Sequence, residues 1–303
     1  VWKIENFGEA KVIETFPKSG SMEGGTLGLA LHPDFKNNQK IYIYQTNLEL
    51  EFFQNKVFSF TVDGDALTDK QVIIDDIPGA PWHDGGRIKF GPDGKLYITT
   101  GDAINPGWSQ DLSSLAGKIL RINPDGTIPD DNPFDSSPIF SYGHRNPQGI
   151  AWSDGGLFVS SEHGPSGEMG YGHDEINVIV KGKNYGWPVI TYGEEYGGGA
   201  IGEGITRKEG LEQPLYYWLP SIGPSGMEIY SGRAFPGWKN SMFTGSLALK
   251  HLNRLVLDGE RVLHEERLFE DKGWRVRFIE EGPEGFLYFG VDGGKILRLV
   301  PAK

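Results

Sequence analysis

The chain has 303 residues, a net charge of −12 and no cysteine. The length suits one large domain or two of average size. The charge argues against a nucleic-acid partner because phosphate backbones repel an acidic surface, and the lack of cysteine excludes disulfides and thiolate metal sites. No apolar run is long enough to span a membrane, and the first residues lack the apolar core of a signal peptide.

The 44 glycines and 19 prolines favour short strands joined by turns over long helices. One pattern recurs five times, in which a Pro/Gly/Asp turn precedes an apolar strand. These turn–strand stretches begin at His32, Gly91, Ser153, Pro236 and Gly282. Such a recurrence predicts a radial β repeat and favours a propeller over a non-repeating β sandwich.

We interpret residues 1–303 as a single β-propeller domain because no break in composition marks a linker. Helix is scarce, and segments 108–115 and 263–269 are the two short candidates. Segment 191–210 is rich in Gly and Glu and has no strand period, which predicts a surface loop. It contains a G-x-G-x-x-G spacing, but no helical pattern follows, so we reject NAD binding.

His83 lies in the sequence WHDGGRIKFGPDG, before the second of the recurring strands. A neutral histidine is a good general base. The two glycines after Asp84 allow a ligand or another strand to approach closely. The alternative is a loop histidine without a chemical role, and the spacing leaves both interpretations open.

Several cations are candidates for binding an anion. Arg145, followed by Asn146, needs an acid or a ligand carboxylate if it is buried. Arg275 and Arg277 alternate in WRVRF, so on a strand they point to the same side, where an anion would stabilise them. The alternative is an exposed edge strand. Together with Lys250, these residues are suited to ring one anionic ligand at a propeller mouth.

An acidic cluster flanks the Gly164–Pro165 turn and consists of Glu162, Glu168, Asp174 and Glu175. Carboxylates combined with turn carbonyls suit a hard cation such as Ca²⁺, although the spacing is not that of an EF-hand. The alternative is a solvated acidic loop. Two nearby histidines match no zinc pattern and are left unassigned.

Longer motifs connect these residues, namely LGLALHPDF, HDGGRIKFGPDGKLYITTGD, LAGKILRINPDG, GHRNPQGIAW, EHGP, DEINVIVKGKNYGWP, PSIGPSGMEIY and WRVRF. From about Gly24 to the C-terminus the chain resembles the soluble quinoprotein glucose/sorbosone dehydrogenase family, close to its aldose sugar dehydrogenase branch. The resemblance implies an all-β, six-bladed β-propeller with four-stranded antiparallel blades. Since the sequence shows five recurring strands, this leaves open a first blade that is incomplete at the N-terminus.

The resemblance also implies that pyrroloquinoline quinone (PQQ) and Ca²⁺ bind at one end of the propeller. His83 stands at the position of the general base, which takes the proton of the sugar's anomeric hydroxyl while hydride passes to PQQ. Arg145 is expected to contribute to catalysis as well as to cofactor binding. The positions that contact the cofactor are those of Arg145, Asn146, Lys250, Arg275 and Arg277.

For calcium, the resemblance implies that the backbone carbonyls of Gly164 and Pro165 ligate the cofactor-bound ion. Glu175 and the backbone of Tyr185 match a second, structural Ca²⁺ site, which Glu194 or Glu195 completes.

Two positions depart from the family pattern. Glu23 stands where the family often has Gln, at a cofactor or substrate contact. Trp82 precedes the base, where the family often has Asp or Asn.

The expected function is therefore PQQ- and Ca²⁺-dependent oxidation of aldose sugars to lactones, with electrons passed to an external acceptor. The resemblance implies a periplasmic or extracellular enzyme with neither a nucleic-acid partner nor a membrane span. Two alternatives stay open: a non-catalytic propeller that binds a glycan or a protein partner, and a Ca²⁺-dependent propeller lactonase.

Overall fold

A computed structural model describes residues 1–4, 10–17, 20–49, 51–165 and 172–302. The chain divides into two compact units, Val1–Phe140 and Ser141–Lys303, which we describe one at a time. Glu168, one of the predicted acidic residues, lies outside the described residues.

Antiparallel strands in chain order build the first unit. A two-stranded sheet contains β1 (Trp2–Ile4) and β2 (Ala10–Val12). The next sheet contains β3 (Thr26–Leu31), β4 (Lys40–Glu49), β5 (Phe52–Asp63) and β6 (Ala66–Pro78), with the short helix α1 (Phe35–Asn38) between β3 and β4. A third contains β7 (Ile88–Phe90), β8 (Leu96–Thr100), β9 (Lys118–Ile122) and β10 (Ile139–Tyr142).

The second unit continues the same pattern. One sheet contains β11 (Pro147–Trp152), β12 (Phe158–Glu162), β13 (Asp174–Val178) and β14 (Tyr216–Trp218). Another contains β15 (Pro224–Ile229), β16 (Met242–Ser246), β17 (Leu252–Asp258) and β18 (Arg261–Leu268). The last contains β19 (Val276–Glu281), β20 (Leu287–Val291) and β21 (Lys295–Arg298). Short 3₁₀ turns occur at Pro106–Ser109, Pro236–Trp238 and Glu270–Lys272.

The recurring turn–strand stretches each join the first strand of a sheet to the second. Those that begin at Gly91, Ser153 and Gly282 have the same form, because each of these residues donates its N–H to a carbonyl four residues later, at 2.9, 2.9 and 2.8 Å. The glycine three residues after each start has a φ of 72 to 87°, a left-handed conformation that favours glycine. The sequence pattern therefore marks a repeated hairpin.

The core of the second unit lies between neighbouring sheets. One apolar cluster contains Val159 and Ile176 from one sheet and Met242 and Leu255 from the next. Strands β8, β9, β12 and β16 are buried at every residue. Most of their residues are apolar or small, and the buried charges of Lys118, Arg121 and Glu162 are held by hydrogen bonds. These strands are covered on both faces.

The predicted all-β class is confirmed, but neither helix candidate forms an α-helix. Segment 263–269 lies almost entirely in β18, which pairs with β17. Glu266 of β18 pairs with Arg254 of β17 at 2.6 Å, so cross-strand pairing overrides the helix propensity of this segment. Segment 108–115 begins within the 3₁₀ turn that ends at Ser109. The predicted loop 191–210 is confirmed, and it contains one isolated bridge, between Glu194 and Ala200.

The described residues form four four-stranded sheets, one three-stranded sheet and one two-stranded sheet. Five sheets thus have the size of a blade, and the predicted number of six stays a prediction. The single domain over residues 1–303 also stays a prediction. Within the described ranges no helix is long and apolar enough to cross a membrane.

Candidate active site

His83 of the first unit is held at both its side chain and its backbone. Its Nδ1 lies 2.7 Å from Asp102 Oδ1, and its backbone N–H donates to Glu23 Oε2 at 3.0 Å. The Asp102 side chain is 1% exposed and the His83 side chain 15%. Because a carboxylate only accepts hydrogen bonds, we assign the ring proton to Nδ1, which leaves the lone pair of Nε2 available. This is the arrangement of an oriented general base.

Glycines let the His83 loop pack against β8. Gly85 and Gly86 have φ values of 64 and 97°, and the Gly86 N–H donates to the Thr99 carbonyl at 2.9 Å. A Cβ atom on Gly85 would lie 2.6 Å from that same oxygen. Of the two partners that the sequence left open for these glycines, the structure therefore shows a strand.

A buried polar network lies behind this loop. Asp84 is 1% exposed and accepts hydrogen bonds from Asn55 Nδ2 at 3.0 Å and from the Ala80 N–H at 3.1 Å. The Tyr44 hydroxyl donates to the Asp84 carbonyl at 2.7 Å. Burial raises the pKa of the Asp84 carboxyl group, and these donors oppose that rise. The loop that carries His83 is thus fixed from beneath.

Lys118 anchors the loop that follows Asp102. The lysine is fully buried, and its Nζ donates to the carbonyls of Trp108, Ser109 and Ala116 at 2.7, 3.2 and 2.6 Å. Gly117 donates its N–H to the Gly101 carbonyl at 2.7 Å, beside Asp102. Burial lowers the pKa of Lys118 to about 7.

Arg145 of the second unit is a buried cation with neutral partners. It is 5% exposed. Its Nη1 donates to the carbonyls of His163 and Gly164, both at 3.1 Å, and Nη2 donates to the Tyr196 hydroxyl at 3.1 Å. The guanidinium also lies 5.4 Å from the ring centre of Trp187. Its Nε is buried and has no partner among the described residues, so an anionic ligand here would compensate a buried charge.

Glu162 holds the backbone of the Arg-Asn pair. One carboxylate oxygen accepts the N–H groups of Arg145 and Asn146, and the other lies 3.0 Å from His144 Nδ1. His144 Nε2 lies 2.9 Å from Ser141 Oγ. The connectivity is that of a Ser-His-acid triad, but Ser141 and His144 are fully buried. A nucleophile that no substrate reaches is structural, so we assign these residues to positioning Arg145 and Asn146.

The Gly164–Pro165 turn is fixed by Asp174, whose two oxygens accept the N–H groups of Gly164 at 3.1 Å and Gly223 at 2.7 Å. A Cβ atom on Gly164 would overlap the His173 carbonyl, so this position requires glycine. Neither Asp174 nor Glu162 is a solvated loop acid, because backbone amides occupy both.

A cavity with about 410 Å³ of empty space, part of it open to solvent, adjoins this turn. Its lining includes Arg145, Glu162, Gly164, Pro165, Glu175, Tyr185, Trp187 and Glu212. Burial, followed by the charge of Glu162, raises the pKa of Glu175 to about 8. Among the described residues, Glu175 receives one long hydrogen bond, 3.4 Å from Asn177 Nδ2.

The structure does not place Glu194 or Glu195 at this cavity. Both side chains are exposed, and neither belongs to the lining. Glu212 lies there instead and pairs with Lys183 at 3.0 Å. Within the described ranges, no group of three or more His, Asp or Glu side chains is arranged to hold a metal ion.

Arg275 and Arg277 share one carboxylate that the sequence analysis missed. Asp292 accepts from Arg275 Nη1 at 3.2 Å and from Arg277 Nε at 2.6 Å. Arg275 also donates to the Leu247 carbonyl at 3.1 Å, in the turn that contains Lys250. Lys250 is exposed and has a φ of 60°. The predicted anion between the two arginines is therefore present within the chain, and the cations remain accessible.

Comparisons with known proteins show the family to which the chain belongs. A family model described as "Glucose / Sorbosone dehydrogenase" matches residues 2–298. The chain belongs to the glucose/sorbosone dehydrogenase family. This confirms the resemblance drawn from the motifs, and with it the prediction that the chain is a sugar oxidoreductase.

Three relatives illustrate the similarity. The aldose sugar dehydrogenase YliI of Escherichia coli is 36% identical over 295 residues, which cover 92% of this chain and 78% of the relative. The crystal structure of the soluble aldose sugar dehydrogenase from Escherichia coli in the apo form has a TM-score of 0.90 at 33% identity, covering 98% of this chain and 89% of that one. The PQQ-bound aldose sugar dehydrogenase of Streptomyces coelicolor has a TM-score of 0.78 at 33% identity, with 97% and 84% covered. These similarities support an all-β propeller with four-stranded antiparallel blades.

Proposed function

We propose that this chain uses PQQ and Ca²⁺ to oxidise the anomeric hydroxyl of aldose sugars to lactones and passes the electrons to an external acceptor. The observation that carries the proposal is Arg145, a buried guanidinium whose Nε has no partner among the described residues and whose other side-chain nitrogens donate to two carbonyls and a hydroxyl group. A buried cation in this state favours an anionic ligand, and a family relative is described as PQQ-bound.

The residues of the second unit suit PQQ, a planar tricarboxylate. Arg145 offers a desolvated donor, and Asn146 lies beside it with a buried side chain. Arg275 and Arg277 are 44% and 49% exposed and hold a planar fork of donors toward a carboxylate. We assign them, together with Lys250, to the PQQ carboxylates. Arg145 is assigned both cofactor binding and a share in catalysis.

The turn carbonyls and Glu175 suit Ca²⁺, which prefers oxygen ligands. We assign the Gly164 and Pro165 carbonyls to the cofactor-bound ion, and Glu175 with the Tyr185 carbonyl to a structural ion. A cation close to this partly buried acid would offset the burial that raises its pKa to about 8. The Gly164 carbonyl already accepts one hydrogen bond from Arg145, and its second lone pair stays available.

When bound, PQQ supplies a hydride acceptor and Ca²⁺ a Lewis acid. The protein itself supplies the base. His83 Nε2 takes the proton of the anomeric hydroxyl, and Asp102 stabilises the imidazolium that forms, at 2.7 Å from Nδ1. Glu23 fixes the backbone of the base. Its predicted contact to cofactor or substrate remains part of the proposal, as do the six-blade count and a periplasmic or extracellular location.

The decisive experiment adds PQQ and Ca²⁺ to the purified chain, measures PQQ binding by absorbance, and assays aldoses with an artificial dye acceptor. We expect binding at micromolar PQQ and turnover that requires both additions. Arg145→Gln is expected to weaken PQQ binding by about tenfold or more, since a desolvated charge contact is lost. His83→Ala should keep PQQ binding and lose about 10²–10⁴-fold in kcat.

Absence of PQQ binding at micromolar concentration would overturn the proposal. Hydrolysis of a lactone without PQQ would favour the lactonase alternative. Binding of a glycan or a protein partner without turnover would favour the non-catalytic propeller.

A further inference from the structure

Two exposed apolar side chains flank the proposed base. Trp82, which precedes His83, is 45% exposed, and Ile104 is 52% exposed. Ala103, the neighbour of Ile104, donates its N–H to the His83 carbonyl at 3.2 Å. Both side chains therefore lie within one residue of the hydrogen bond that joins the His83 loop to the Asp102 loop.

The backbone around Trp82 is fixed, whereas its side chain is not engaged. The Pro81 carbonyl accepts the N–H groups of Met22 and Glu23 at 3.1 and 3.0 Å, and the His83 N–H is held by Glu23. Within the described part of the chain, the Trp82 indole has no hydrogen bond and no aromatic contact. A large aromatic ring that is nearly half exposed on a rigid loop is typical of a binding surface.

The backbone of Ile104 is in a strained conformation. Ala103 and Ile104 have φ values of 50 and 55°, which is the left-handed region. That region is a genuine outlier for a β-branched residue, and strain of this kind collects at functional sites. The Ile104 N–H donates to Asp102 Oδ1 at 2.9 Å, so the carboxylate that orients His83 also holds the strained residue.

We propose that Trp82 and Ile104 form an apolar platform that packs against the C–H face of the aldose ring and so sets substrate affinity at His83. The platform deepens the proposed function and rests on it. Pyranose rings combine hydroxyl groups with apolar C–H surfaces, and an exposed indole beside a base complements the apolar part. The ring then meets His83 with its anomeric hydroxyl while the platform excludes water from one side.

The first test compares Trp82→Ala with Trp82→Phe, using the full chain supplied with PQQ and Ca²⁺ and d-glucose and d-xylose as probes. We expect Trp82→Ala to raise KM about tenfold or more and to change kcat by less than about threefold, because the platform binds ground and transition states alike. Trp82→Phe should recover most of the affinity. Trp2→Ala is the matched control, since Trp2 is 65% exposed on β1 and should leave KM unchanged.

The second test uses Ile104→Gly, which removes the side chain and relieves the left-handed strain. We expect thermal stability at or above that of the wild type together with a higher KM. If Ile104 only supported the loop, its replacement would lower thermal stability, and it would not raise KM while stability is kept. Saturation-transfer NMR of d-glucose on the protein without cofactor gives a readout independent of turnover, and Trp82→Ala should remove the transfer to the sugar C–H protons.

An unchanged KM and unchanged sugar transfer in Trp82→Ala would overturn the platform while leaving the proposed function intact. Loss of PQQ binding in Trp82→Ala would also overturn it, because the residue would then position cofactor. If the wild-type chain binds no PQQ and oxidises no aldose, the proposed function fails instead. In that case, sugar transfer that depends on Trp82 would still support the platform.

Discussion

Replacing Asp102 with Asn removes the charge that stabilises the His83 imidazolium and also the acceptor that fixes the tautomer of the ring. The side chain is nearly isosteric and 1% exposed, so the loop keeps its shape. The carboxylate that lies 2.7 Å from Nδ1 becomes a neutral amide. Asn also offers an NH₂ donor to the ring, which would favour the tautomer with its lone pair on the wrong nitrogen.

The expected effect on kcat follows from the charge that develops on His83. Two unit charges about 4 Å apart interact by about 4 kcal/mol at an effective dielectric constant of about 20. At 1.36 kcal/mol for each tenfold change in rate, losing that interaction lowers kcat by about 10³. PQQ binding should remain within about twofold of the wild type, because Asp102 belongs to the base and not to the cofactor cations.

Steady-state assays with a dye acceptor at saturating PQQ and Ca²⁺ measure the effect, and a PQQ titration serves as the control. If the kcat of Asp102→Asn lies within about tenfold of the wild type, the electrostatic reasoning is refuted. If PQQ binding falls in parallel with kcat, the role assigned to Asp102 is wrong.

Three further predictions concern stability and calcium. Burial lowers the pKa of Lys118 from 10.5 to about 7, so between these pH values the unfolded chain binds more protons and the stability of the wild type rises with pH, by at most about 5 kcal/mol. Urea unfolding of Lys118→Met at pH 7 and pH 10 should show no such rise. If stability rises equally with pH in both proteins, the assignment to Lys118 is wrong. Gly164→Ala should lower the free energy of unfolding by about 1–3 kcal/mol, because the added Cβ overlaps the His173 carbonyl. Gly197→Ala is the control: nothing lies within 4 Å of a Cβ there, so the free energy of unfolding should change by less than about 0.5 kcal/mol in the same unfolding experiment. Calcium should raise the Tm of the wild type, and this increase should be smaller in Glu175→Gln because an ionisable ligand is lost. Calorimetry with and without EGTA measures the increase in each protein. An equal increase in the variant rules out Glu175 as a ligand.

Local patterns allowed much of the fold to be predicted. The hairpins at Gly91, Ser153 and Gly282 follow from turn chemistry that one short stretch of sequence contains. Segment 263–269 failed as a helix because its pairing with β17 is a tertiary fact that no local window contains. The number of blades could not be predicted from local patterns for the same reason, since sheet membership is decided by strands far apart in sequence.

At the candidate site, the residues that bear charge or a ring nitrogen were found and their partners were missed. His83 and Arg145 have side-chain chemistry that is visible in sequence. Asp102 and Asp292 act only through the groups they meet 19 and 15 residues away. Asp102 does lie two residues after a buried strand, within the motif HDGGRIKFGPDGKLYITTGD, and a polar residue at that position is a signal that could have identified it.

The carboxylate shared by Arg275 and Arg277 has a kinetic consequence. One acid and two guanidinium groups leave a single local positive charge on a chain whose net charge is −12. An anionic ligand therefore meets repulsion at long range and attraction only within about one Debye length, some 8 Å at physiological ionic strength. Added salt screens the long-range part first, so association with this ligand should accelerate as ionic strength increases from low values, the reverse of electrostatic steering.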